Sequence, residues 1–250
     1  MKALAVLRVE RTASGRSAVR ELRSQAPMTL VHRRAAVAGD GAAVVHLVSS
    51  AAAPLGGDDV RLRVHVGPGA RLRLRGTAAT VALPGMRAGH SRTRVQVELA
   101  EGAELDYRPE ATVVTSRADH RAELHAELAE DARLDLRELL VLGRTGEPPG
   151  RLRTATHVVR GGVPVLRQDL DLHPGRLLDS AGYLAGSRVL GTEVMVRAEA
   201  PAEPVSGDWW SLVPLPAGGA LATALAADAI TAEHRLGTAR GHHPSPETAA

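Results

Sequence analysis

The 250-residue chain contains no cysteine, which excludes a disulfide framework, a thiolate metal site and a thiol nucleophile. It contains no phenylalanine and only two tryptophans and two tyrosines, so a core has to be built from Leu, Val and Ala. Lys2 is the single lysine, and the positive charge is otherwise arginine. The 31 basic residues face 28 acidic ones, a formal net charge of +3, and the two signs alternate along the same segments without a block of either. That distribution argues against a nucleic-acid partner. Long apolar runs are missing too. Residues 3–7 are too short a stretch for a signal-peptide core before Arg8 and Glu10. The apolar region 209–230 is interrupted by Pro214, Pro216, Gly218, Gly219 and Asp228, so no transmembrane helix and no membrane partner are expected, and a cytoplasmic location is. No Gly-x-x-x-x-Gly-Lys-Ser/Thr cradle, His-Glu-x-x-His pair or Gly-x-Ser-x-Gly elbow occurs, which removes the common nucleotide, zincin and serine-hydrolase chemistries.

What the chain does have is alternation. With 44% hydrophobic and 24% charged residues it has the composition of a soluble globular protein. Val60, Leu62, Val64 and Val66 interleave with Arg61, Arg63 and His65, and Ala70, Leu72 and Leu74 interleave with Arg71, Arg73 and Arg75. This reads as a half-buried hairpin, with Gly67-Pro68-Gly69 supplying the positive-φ residue of its loop. The construction recurs. Val64-x-Val66-x-x-Gly69-Ala70-x-Leu72-x-Leu74 aligns with Val97-x-Leu99-x-x-Gly102-Ala103-x-Leu105-x-Tyr107, and again with Ala126-x-Leu128-x-x-Asp131-Ala132-x-Leu134-x-Leu136. A repeat of roughly thirty residues predicts stacked β-units in a layered or solenoid-like arrangement. Residues 118–142 have helix-favouring composition, but Ala122, Leu124, Ala126 and Leu128 alternate and match the repeat, so strands are predicted there.

Further strands are expected at 4–9, 28–33, 43–48, 113–115, 152–159, 163–172 and 188–197. A helix is expected at about 219–235, where Leu221, Leu225 and Ala229 or Ile230 recur at helical spacing. The fold class is therefore all-β, a β-helix-like stack of many short strands in one domain over 1–236, with one C-terminal helix and a flexible tail over 237–250.

Several groups are candidates for chemistry. Asp58 and Asp59 follow Gly56-Gly57 at the entry to the first repeat, either as turn residues capping free N–H groups or as carboxylates for a divalent cation. Glu138 precedes Gly143-Arg144, and Glu147 follows in a Gly-Glu-Pro-Pro loop. Arg144 can pair with a nearby carboxylate at the surface, or form a costlier and more informative buried pair with Glu138. The eleven histidines show no cupin-type spacing. On a strand His120 and His125 face opposite sides, so they read as solvated or locally bonded. His242-His243 falls in the expected tail. Trp209-Trp210 are either core filling or an exposed anchor for a protein partner.

The run Pro54-Leu55-Gly56-Gly57-Asp58 leading into 60–66 begins a series of short motifs. Gly69-Ala70 is followed by Arg75-Gly76-Thr77-Ala78-Ala79-Thr80, then Gly102-Ala103-Glu104-Leu105-Asp106-Tyr107-Arg108-Pro109-Glu110, then Leu142-Gly143-Arg144 with Gly146-Glu147. In order and spacing this series, over roughly residues 30–235, resembles the urease accessory protein UreD (UreH) family. The chain departs from the family's pattern at Val81 and Arg108, as a divergent member of actinobacterial type would. The resemblance implies a non-catalytic, all-β scaffold that binds urease apoprotein on one side and the complex of UreF and the GTPase UreG on the other. It implies no tightly bound cofactor, but transient Ni²⁺ passing along a polar path between β-layers. Matching the family motifs, Asp58, Glu138 and Glu147 are the expected path carboxylates, with Arg144 and Asp59 supporting them and Trp209 and Trp210 as a partner surface. Two other classes remain compatible with the residues. One is a metal-dependent, cupin-like β-barrel enzyme, which requires at least three converging ligands. The other is a β binding module with no metal role.

Overall fold

The computed structural model describes residues 1–33, 40–86, 89–173 and 179–244. The three repeats form its centre. Each opens with a long strand, β5 (Asp59–Val66), β8 (Ser91–Leu99) or β11 (Asp119–Leu128). Each then turns a corner and continues as β6 (Arg71–Gly76), β9 (Glu104–Arg108) or β12 (Arg133–Leu142). The two strands of a repeat do not pair with each other. β5, β8 and β11 stack in parallel in one sheet, while β6, β9 and β12 stack in parallel in a second. The expected hairpin is thus a strand-corner-strand arch spanning two layers. Alternation is identical in both arrangements, because each strand has one buried face whether its sequence neighbour lies beside it or across the core. The corners are copies of one turn: Ala70, Ala103 and Ala132 donate to the carbonyls of Gly67, Ala100 and Ala129 at 3.0, 3.0 and 3.2 Å. Gly69 and Gly102 take positive φ there. In the third corner Asp131 replaces the glycine, and its carboxylate accepts from the Gly102 N–H at 2.8 Å.

The first sheet has seven strands in the order β14-β13-β11-β8-β5-β1-β2, where β1 is Lys2–Arg11, β2 Ser17–Arg23, β13 Arg151–Arg160 and β14 Val163–Leu172. The second has eleven. Its main path runs from β16 (Val205–Gly207) and β17 (Trp210–Pro214) through β18 (Ala220–Ala226) and β15 (Val189–Val196) to β12, β9 and β6, ending on β4 (Ala43–Ser49) and β3 (Met28–His32). Short strand β10 (Thr112–Val114) pairs with β12, and β7 (Thr80–Ala82) pairs with β10. The whole is a solenoid-like stack of about four turns, dominated by strands. Each strand predicted from alternation has its counterpart. The stretch 118–142 forms β11 and β12 despite its helix-favouring composition.

Between the sheets, two apolar clusters lie at opposite ends of the strands. One gathers Leu7, Leu62, Val66, Leu72, Leu105 and Leu134 behind the corners, and the other gathers Val114, Leu140, Leu142, Leu152 and Leu172. A third cluster lies outside the second sheet, where helix α1 (Ala229–Gly241) packs on β18 and β15. The helix expected at about 219–235 is corrected here. Ala220, Ala222, Ala224 and Ala226 are a buried alternating row of β18, and only the second half of the stretch is helical. Alanines are required in that row because Ala232 and Leu236 of α1 press directly on them, and tertiary packing overrides the spacing of Leu221 and Leu225. Asp228 caps α1, accepting from the Thr231 N–H at 2.8 Å. The tail expected from 237 is corrected too: α1 continues to Gly241 with Ala239 buried, and His243 is buried beyond it. Residues 245–250 lie outside the described residues.

Candidate functional site

In β12 the even-numbered side chains point between the sheets. Leu134, Leu136, Leu140 and Leu142 fill the apolar clusters, and Glu138 stands among them in the same row. Around it lies a cavity of about 140 Å³ that separates the two clusters, large enough for several waters. Its walls run along the stack, from Met28 and Leu47 on β3 and β4 to Thr156 and Thr192 on β13 and β15. Thr93, Ala122 and Leu124 form the facing sheet's wall, and Pro54, Ala78 and the exposed Glu110 also border it. Thr192 sits directly beside Glu138 in the strand register.

Among the described residues, no group hydrogen-bonds or ion-pairs with the Glu138 carboxylate. Protein surrounds it, the surface it keeps opens on the cavity, and burial pushes its pKa up to about 7. Burial also pushes the Tyr107 hydroxyl strongly up, with the nearby Glu138 charge adding to it. His120, 1% exposed, lines the same cavity with its Nδ1 2.9 Å from Ser91 Oγ. Burial pulls its pKa down to about 4, so it is a neutral imidazole at physiological pH. The wall therefore offers a buried carboxylate with no partner among the described residues, one neutral ring and several hydroxyls, with the exposed Glu110 at its border.

The other predicted charges lie elsewhere and are already satisfied. Asp58 is buried in the turn before β5. Its carboxylate accepts from the Leu55 N–H at 2.9 Å and lies 2.5 Å from the Met1 ammonium. Gly56 beside it packs so closely on Gly85 that a Cβ would fall 2.7 Å from the Gly85 nitrogen, which gives the Gly-Gly-Asp run a structural reason. Asp59 faces outward between Arg61 and Arg94, at 2.9 and 2.5 Å, and the Arg61 hydrogen bond holds its carboxyl below the usual range. Glu147 takes two bonds from the Arg144 guanidinium, at 2.9 and 3.1 Å, and one from Ser116 at 2.7 Å. Arg144, then Ser116, lower its pKa to about 2. Arg144 thus pairs with Glu147 and not with Glu138. Among the described residues no three histidine or carboxylate groups converge as a metal site, and the sheets do not close into a barrel.

Comparison with known proteins decides the family. The model of the UreD urease accessory protein family matches residues 1–242. Urease accessory protein UreD 1 of Saccharopolyspora erythraea is 62% identical over 248 residues, covering 99% of this chain and 97% of that protein. Urease accessory protein UreD of Frankia alni is 41% identical over 271 aligned positions, covering 94% of this chain and 91% of its own length. The Streptomyces avermitilis protein of the same name is 40% identical over 84% of each chain. The chain belongs to the UreD family. In this UreD-family member the two tryptophans part company. Trp210 packs against the cluster under α1 and stacks on His242, with ring centroids 5.2 Å apart. Trp209 is 52% exposed at the tip of the β16–β17 turn, with a backbone φ of +65° that a bulky residue rarely takes. Sequence reasoning passed over Thr93, Thr156, Thr192, His120 and Glu110 as site residues. For His120 the signal was present, since alternation places it on the buried side with Ala122 and Ala126. No helix among the described residues is long and apolar enough to cross a membrane.

Proposed function

We propose that this protein serves urease maturation as a non-catalytic scaffold, and that Ni²⁺ moves through the cavity between its sheets on the way to the urease apoprotein. The observation that carries the reading is Glu138, a carboxylate facing a cavity along the stack and without a partner among the described residues. A buried carboxylate needs a counter-charge or solvent, and a divalent ion passing the cavity supplies one. Nickel accepts imidazole and oxygen ligands. One carboxylate, the neutral His120 and the hydroxyls of Thr93, Thr156 and Thr192 replace only part of its hydration shell, so the hold is weak and release is fast. With its pKa near 7, Glu138 exchanges a proton for the metal as the ion arrives. Family membership supports the partners expected from the sequence: urease apoprotein, UreF and, through it, UreG, in the cytoplasm. Trp209 is the proposed anchor for one of them, since an exposed Trp held in strained backbone suits a protein contact.

The test is co-expression with urease subunits and the other accessory proteins, comparing wild type with Glu138→Gln and Trp209→Ala. Glu138→Gln is expected to leave the complex intact while lowering the nickel content and activity of the urease obtained. Trp209→Ala is expected to weaken co-purification itself. Wild-type activation by Glu138→Gln would remove the cavity from the nickel route.

A further inference from the structure

We propose that the outer face of the first sheet carries a solvent-facing transition-metal site formed by His125 and His157. His125 and Glu127 of β11 are exposed while Ala126 and Leu128 between them are buried, so the sheet itself separates this place from Glu138 and the inference stands independently of the nickel route. His125 of β11 and His157 of β13 are direct register partners on adjacent parallel strands. They therefore share a face at the strand separation of about 4.8 Å, close enough for both rings to reach one ion. Both are partly open to solvent, at 47% and 32% of the side chain.

The hydrogen bonds define which atoms would bind. His125 Nε2 lies 3.0 Å from Glu127 Oε1, and His157 Nε2 lies 3.1 Å from Asp169 Oδ1. Among the described residues, neither Nδ1 atom has a hydrogen-bond partner. Metal-bound imidazoles ordinarily donate their remaining N–H to a carboxylate, which fixes the tautomer and raises the basicity of the ligating nitrogen. Here two neighbouring histidines carry that feature at once. Their Nε2–H groups are directed at carboxylates, and their Nδ1 lone pairs are left for an ion. Gln96 of β8 and Arg167 of β14 complete the row on either side. The Arg167 charge is drawn toward Asp169, 3.6 Å away. Because both carboxylates are engaged by the rings, the protein supplies two ligands and water the remainder. The ligand chemistry is that of a borderline divalent ion, Cu²⁺, Ni²⁺ or Zn²⁺, held weakly and exchanging with solvent.

The test uses the tag-free full chain titrated with Cu²⁺ and read by electron paramagnetic resonance, in which ligating nitrogens split the copper signal. Wild type is expected to show a copper species with two imidazole nitrogens. His125→Asn and His157→Asn are each expected to lose affinity on the order of tenfold or more, and Glu127→Gln by about tenfold, since removing the carboxylate behind a ligating ring has that effect. All three positions are exposed enough that melting curves should superimpose on wild type. Glu138→Gln and a His242→Ala, His243→Ala double variant are expected to retain the species. The proposal is overturned if both histidine variants bind copper as wild type does. A two-nitrogen signal that disappears only in the His242, His243 double variant, or only in Glu138→Gln, would overturn it equally, and the latter result would leave the cavity reading standing.

Discussion

An ionised carboxylate without a hydrogen bond or counter-ion destabilises the fold that buries it, and Glu138 is such a group. Its pKa rises from 4.5 to about 7 through burial. The folded state therefore binds more protons than the unfolded one between those values, and stability falls as pH rises through that window, by roughly 3 kcal/mol in total. Glu138→Gln keeps the shape and removes the charge. Its melting temperature should exceed that of wild type by several degrees at pH 8 and nearly coincide with it at pH 4. Identical curves at pH 8 would mean that the carboxylate is better solvated than its surroundings indicate. His120 works in the opposite sense: with its pKa depressed to about 4, it costs stability as pH falls from its ordinary value of 6.5 toward 4. The wild-type-minus-variant difference removes that contribution. Asp58 belongs to a different category of buried acid, because its oxygens are taken by the Leu55 N–H and the Met1 ammonium. Asp58→Ala strands a backbone donor and should cost about 1–3 kcal/mol, visible in urea unfolding. The sequence showed both acids. It could not show that Glu138 faces open space, since the walls around it come from strands as far apart in the chain as β3 and β15.

Elements were legible to the extent that period-2 alternation marks them. Strand positions followed from it, and so did the choice of strands over helix at 118–142. Which strand pairs with which did not follow, because an arch and a hairpin bury the same residues. Alternation also failed at β18, where alanine satisfies a helix and a strand equally and the deciding factor is the helix above it. That helix is clamped by ions. Glu193 of β15, 1% exposed, receives Arg240 of α1 at 3.1 Å and Arg108 of β9 at 3.3 Å, and Arg137 of β12 reaches Glu233. Glu193→Ala leaves two arginines facing each other without their shared anion. It should cost about 2–3 kcal/mol, expressed as faster amide exchange across 229–241 while β5, β8 and β11 stay protected. Loss of protection throughout the sheets would instead make α1 part of the global folding unit.

At the scale of the molecule, the stack of arches creates the candidate path. Two sheets wound from one chain meet through Leu and Val at both ends of the strands, and the polar inward positions between, Thr93, His120, Thr156, Glu138 and Thr192, fall on neighbouring coils. Each is visible in the sequence as a polar residue breaking an apolar row. Their meeting is not, because it requires the knowledge that consecutive strands face each other across the core. A cavity that serves only as imperfect packing and one that conducts an ion respond differently when filled. Ala122 of β11 lies on the wall opposite Glu138, and Ala122→Leu pushes apolar atoms into the opening without touching a charge. Filling a void of this kind commonly stabilises a protein by about 0.5–2 kcal/mol. If the cavity conducts nickel, the variant should melt at or above the wild-type temperature and co-purify with urease normally, yet yield urease with less metal and less activity. A gain in stability together with loss of activation separates conduction from folding. Full activation by a stable, filled variant would place the route outside this cavity.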